Sequence, residues 1–143
     1  MRLISALFLG AWLVATVAFT LRAANPLPGQ VVTDNPWPFT TIRIYLDNLD
    51  SAFWVSQAVG NVLLMLPIGL LGPLALPSLD RWWRVALLAA TLSSCIELAQ
   101  LLVPDRSADV DDVLLNTLGA LLGYALLRLL HLPGPRRPLA PSE

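Results

Sequence analysis

Long apolar runs constrain this chain's fold more than any other feature of its sequence. Four near-continuous runs, each about 18 to 25 residues long, are long enough for a helix rising about 1.5 Å per residue to cross a hydrocarbon core. Backbone amides inside lipid have no water to bond, so such runs form helices rather than loops or open strands. A hydrophobic fraction of 56%, a charged fraction of 13% and a mean hydropathy of +0.66 over 143 residues fit a polytopic membrane protein and not a soluble domain. The expected fold is all-α, a bundle of four transmembrane helices.

The first helix is expected within residues 1–22, its apolar centre at 3–21 between Arg2 and Arg22. That centre is longer than the roughly 7–15 residues of a signal peptide, so it reads as an uncleaved span. An extracytoplasmic loop at 23–53 follows, then helices at about 54–76, 84–103 and 110–130, and a proline-rich, disordered cytoplasmic tail at 131–143. All nine basic residues are arginine. With both termini inside, Arg2, Arg81, Arg84, Arg128, Arg136 and Arg137 lie on the inner side, and Arg22, Arg43 and Arg106 on the outer. The excess of inner arginine sets an N-in, C-in orientation. Trp82 and Trp83 read as an inner interfacial anchor and Trp54 as an outer one.

Several function classes are excluded early. No basic stripe suits a nucleic acid. Cys95 is the sole cysteine and reads as a small apolar packing residue, so one chain holds no disulfide or cysteine metal site. The single histidine, His131, reads as a solvated helix-end residue, which leaves no histidine triad. Neither a cofactor nor a metal is expected.

One stretch breaks the apolar pattern: IELAQLLVPDRSADVDDVLLNTLG, residues 96–119. It sits at the outer turn of a hairpin between the third and fourth helices. Counting about 1.5 Å per residue inward from the turn puts Glu97 and Asn116 at one depth, with Gln100 and Asp112 shallower. Ser93, Glu97 and Gln100 share a helical face, as do Asp109, Asp112, Asn116, Gly119 and Gly123. Asn61 and Gln57 enter from the second helix. The expectation is an outward-opening polar pocket floored by Asn61, Glu97 and Asn116. Gln57, Gln100 and Asp112 would line its wall, with Arg106 and Arg43 at the rim. Residues 23–53 would fold over it as a lid carrying Trp37, Phe39 and Tyr45.

Plainer roles compete at each position. Asp109 can cap the fourth helix and Asp112 can favour its dipole. Asn61 and Asn116 can join helices by hydrogen bonds. An ionisable Glu97 within a span is costly unless paired, with Arg106 as the natural partner, or functional. Asp111 points off the stripe and reads as a solvated acid. Pro67 kinks the second helix, while Gly69 and Gly72, like Gly119 and Gly123, permit close helix packing.

Three blocks resemble the VanZ-like family of bacterial membrane proteins: NPWPFTTIRIY from Asn35, NVLLMLPIGLLGP from Asn61, and IELAQLLVPDRSADVDDVLLNTLGALLGY from Ile96. Glu97, Gln100, Arg106, Asp109, Asp112, Asn116, Gly119 and Gly123 fall where that family's pattern puts them. The resemblance covers a domain at 35–130, and Trp37 departs from it where an aliphatic residue is more usual. It implies a multi-pass protein of the bacterial plasma membrane, in a family with members that lower susceptibility to glycopeptide or lipoglycopeptide antibiotics such as teicoplanin. It implies no reaction.

The residues leave several functions open. The first is a non-enzymatic module that binds a membrane lipid, a lipid-linked cell-envelope precursor or a glycopeptide at Asn61, Glu97, Gln100, Arg106, Asp109, Asp112 and Asn116. The second is an intramembrane enzyme whose carboxylates act as acid, base or cation ligands. A third is a transporter, for which four spans without a repeat form a small pathway unless the chain oligomerises. The last is an assembly scaffold.

Overall fold

The computed structural model describes residues 2–21, 34–104 and 106–130. Arg22, His131 and the tail with Arg136 and Arg137 lie outside the described residues. The described chain folds as α1 (Arg2–Thr20), α2 (Thr40–Asp47), α3 (Ala52–Ala75), a short 3-10 turn (Pro77–Leu79), α4 (Trp82–Gln100) and α5 (Val110–Leu130). The all-α expectation holds, and no named strand occurs among these residues; one isolated parallel bridge joins Asn35 to Asp109.

Two expectations change. First, three helices and not four are long and apolar enough to cross a membrane: α1, α3 and α5. α4 has 19 residues, but Arg84, Thr91, Ser93, Ser94 and Glu97 dilute its apolarity. Ser93, Glu97 and Gln100 are buried, so this polarity turns largely toward neighbouring helices. Second, the segment expected as a loop contains α2. Pro38 precedes it, and Ile42 and Tyr45 recur at helical spacing with Tyr45 buried.

The helix boundaries have local causes. Leu76 precedes Pro77, a position that disfavours helical ψ, and its φ of −124° and ψ of 101° end α3. Pro67 and Pro73 lie inside α3. Pro67 leaves the Leu63 carbonyl without its helical donor. One residue on, the Leu64 carbonyl accepts the Trp12 indole N–H at 2.8 Å, which ties α1 to α3.

α3 and α5 form the most extensive helix pair, with α4 packed mainly on α5 and α1 on α3. Glycine makes that close approach feasible. A Cβ on Gly69 would fall on the Ala120 carbonyl, one on Gly119 on the Val62 carbonyl, and one on Gly123 on the Leu66 carbonyl. Gly72 differs, because its added Cβ would meet a Leu79 side chain and no backbone. Around this crossing Met65, Ile68, Val85, Ala89, Ile96 and Ala120 form the core. Most other leucines, including Leu3, Leu7, Leu63, Leu87 and Leu118, face outward. Exposed aliphatics at that density suit helices solvated by lipid.

Candidate functional site

The chain from Ala108 to Asp112 turns into α5, and a helix start leaves several amides without intrahelical acceptors. Here five consecutive amides each find one. Ala108 N–H donates to Asp34 Oδ1 at 3.0 Å, and Asp109 N–H to Glu97 Oε2 at 2.8 Å. Val110 N–H donates to the Asn35 carbonyl at 3.1 Å. Asp111 N–H reaches Asp109 Oδ1 at 2.8 Å, and Asp112 N–H the Asp109 carbonyl at 3.2 Å. Asp109 is thus a helix cap, as its position suggested.

The same acids hold the segment after residue 33. Asn35 N–H donates to the Ala108 carbonyl at 2.9 Å, and its side-chain amide donates to Asp109 Oδ1 at 2.9 Å. The Thr41 hydroxyl donates to Asp109 Oδ2. Asp111, expected as a solvated acid, is instead fully buried. Its carboxylate accepts Phe39 N–H at 2.6 Å, Thr41 N–H at 2.7 Å and Ile42 N–H at 3.1 Å. It therefore occupies the first turn of α2, where orphan donors and the helix dipole both favour an anion. Phe39 there has a φ of 69°, an unfavourable region for a residue with a Cβ. The two-oxygen grip of Asp111 on either side of it offsets that cost.

The remaining candidates separate into small pairs rather than one pocket. The Asn61 amide donates to Asp112 Oδ1 between α3 and α5. The Asn116 amide donates to the Ser93 hydroxyl at 2.8 Å between α4 and α5, while Asn116 Oδ1 is buried with no partner. The Gln100 amide reaches the Thr20 carbonyl at 3.3 Å and so ties α4 to the end of α1. Arg106 is half-buried in the turn and acts electrostatically on Glu97. Gln57 and Arg43 are exposed, as is Cys95, which lies on the face of α4 away from Ser93 and Glu97.

Tyr45 lies close to this acid cluster, 6.0 Å between ring centroids from the half-buried Trp54. Burial, reinforced by the charges of Asp112, Asp109, Asp111 and Glu97, pushes its phenol above the ordinary tyrosine range.

A cavity of about 400 Å³ lies between residues 34–36 and the α4–α5 hairpin. Asp34, Glu97 and Asp109 contribute acid to its wall, and Leu98, Leu101, Val110 and Val113 contribute aliphatic surface. Ser94, Leu98 and Leu101 are exposed, so it opens on the outside of the helix pair. Of the seven candidate ligand residues, Glu97 and Asp109 line this cavity. No group of three or more histidine, cysteine or acidic side chains placed to hold a metal ion occurs among the described residues.

Sequence reasoning missed Asn35, Thr41 and Asp111. Asn35 lay inside a recognised block, but its bond to a residue 74 positions away has no local signal. The signal for Asp111 was its place in the first turn of α5, where a side chain off the face shared by Asp109, Asp112 and Asn116 still meets whatever covers the helix end.

Three apolar membrane-length helices around a glycine-packed crossing, with buried acids at one end, define a helical membrane protein. The VanZ/LLP1 family model matches residues 5–131, and the chain belongs to that family. Neither the curated proteins nor the solved structures provide a match to it.

Proposed function

We propose that this VanZ-family protein sits in the bacterial plasma membrane with both termini inside. In that position it binds an amphipathic cell-envelope molecule at the acid-walled cavity and lowers glycopeptide susceptibility. In this reading α4 is a fourth crossing, because its polar side chains Ser93, Glu97 and Gln100 are covered by protein. One observation carries the proposal: a cavity of about 400 Å³, lined mainly by aliphatic surface, has Asp34, Glu97 and Asp109 among its wall residues. Aliphatic walls suit an acyl or aromatic body. Carboxylates suit a head rich in N–H and O–H donors, such as the sugar and peptide portion of a lipid-linked precursor or a lipoglycopeptide. A bare polyanion would be repelled.

A second reading, an assembly scaffold, also has a specific observation behind it. Asp109 and Asp111 are engaged in seating residues 35–42 on α5. Teicoplanin susceptibility in a sensitive bacterial host separates the two readings. Wild type, Glu97→Gln and Arg106→Ala are compared at matched membrane levels. Glutamine retains an oxygen for the Asp109 amide but removes the carboxyl group from the cavity wall. Binding predicts that wild type raises the inhibitory concentration and that Glu97→Gln returns it to the host baseline. Full protection by Glu97→Gln, or none by wild type, contradicts the proposal.

A further inference from the structure

The end of the bundle remote from the carboxylates carries a second cavity, of about 390 Å³, where the Pro77–Leu79 turn meets α4. Its walls are Ser78, Leu79, Arg84, Leu87, Leu88 and Thr91. Arg84, exposed, is one of the wall residues. One guanidinium nitrogen donates to the Ser78 carbonyl at 2.8 Å, and the guanidinium carbon lies 5.0 Å from the Trp83 ring centroid. An arginine has five N–H donors, so this pose leaves others to bind an anion. Arg81, exposed, is the residue immediately before α4, three positions ahead of Arg84. Asp80, the adjacent acid, is drawn toward α5 by Arg128 at 2.6 Å. No acid lies in the first turn of α4 and no side chain caps it. Positive charge therefore stands uncompensated at the mouth of a groove whose wall is aliphatic at Leu79, Leu87 and Leu88.

We propose that this groove holds an anionic phospholipid, its phosphate against Arg84 and Arg81 and an acyl chain along Leu79, Leu87 and Leu88. A lipid is the occupant rather than a soluble anion because the cavity behind the arginine is aliphatic. In addition, Trp82 and Trp83, 62% and 46% exposed, flank it as residues of a membrane–water interface. Basic pockets at helix ends recognise anionic headgroups by this combination of charge and apolar groove. The site is independent of the acid-walled cavity and does not rest on the function proposed for it.

The test is native mass spectrometry of the full-length protein in mixed micelles, with phosphatidylglycerol and phosphatidylcholine of identical acyl chains in competition. Wild type is expected to retain phosphatidylglycerol in preference by about fivefold or more. Arg81→Gln/Arg84→Gln should bring the ratio close to one, and Arg43→Gln should leave it unchanged. Arg81→Gln alone keeps the Arg84–Ser78 bond and should lower the ratio in part, which separates lost recognition from lost folding. The proposal is overturned if wild type shows no preference or if the double variant keeps it. Displacement of the lipid by millimolar inorganic phosphate would equally overturn it, because charge without the groove would then suffice.

Discussion

The two ends of the helix bundle use aspartate in opposite ways. At one end, Asp109 and Asp111 accept N–H and O–H donors, and Asp111 has no exposed surface. At the other, Asp80 meets Arg128 in an ion pair whose side chains are 65% and 46% exposed. The first arrangement positions a segment, because a buried carboxylate without its donors is costly and the donors belong to defined residues. The second is a surface clasp between the α3–α4 turn and the end of α5, supported by the Tyr124 hydroxyl donating to the Asp80 carbonyl at 3.0 Å. Burial, and not residue type, decides which aspartate organises the fold.

That contrast is broken most directly by removing one acid from each end. Asp111→Ala leaves three backbone donors in a buried site and is expected to destabilise by about 3 kcal/mol or more. Asp80→Ala should scarcely move the same thermal midpoint in detergent, because exposed pairs contribute little. Equal shifts would erase the distinction. The Ser93–Asn116 bond, buried between the ends, gives a smaller effect. Ser93→Ala should cost about 1–2 kcal/mol by stranding the Asn116 amide. Adding Asn116→Leu should recover most of that, since an apolar pair replaces both partners and removes an orphaned oxygen. If the double variant is weaker than Ser93→Ala alone, a further polar partner at Asn116 would be indicated.

The smallest effect concerns Tyr45. Its folded phenol is raised above the unfolded value of about 10, so its contribution to stability is present below that pH and is lost only as pH rises toward the folded value. A tyrosinate absorbance titration of wild type minus Tyr45→Phe should therefore stay flat through the ordinary tyrosine range. Ionisation of Tyr45 near pH 10 would place it outside the acid end.

Much of this was legible in the residues. Apolar runs marked α1, α3 and α5, and the expected fourth helix at 110–130 matches α5. Gly69, Gly119 and Gly123 lie where small side chains permit the α3–α5 approach. Asp109 caps α5. The single pocket was less legible, because counting residues gives depth but not direction around a helix. Asn61 on α3 meets Asp112 on α5, whereas Asn116, one turn further along α5, is directed to Ser93 on α4. Asp111 was misread for a related reason. Its face of α5 is apart from the stripe, but α2 covers that face, and α2 lies in a segment whose hydrophobic signal is short. α4 showed the opposite problem, since the side chains that lower its hydropathy include three that the bundle buries.

The central claim is that buried Asp111, with Asp109 beside it at the start of α5, holds residues 35–42 in place. Amide hydrogen exchange of residues 34–48 in lipid nanodiscs tests it most directly, comparing wild type with Asp111→Asn and Asp80→Asn. The account predicts slow exchange at Phe39, Thr41 and Ile42 in wild type and in Asp80→Asn. In Asp111→Asn, where an amide replaces one acceptor oxygen, exchange at those positions should be much faster. Rapid exchange in wild type, or unchanged protection in Asp111→Asn, would contradict it.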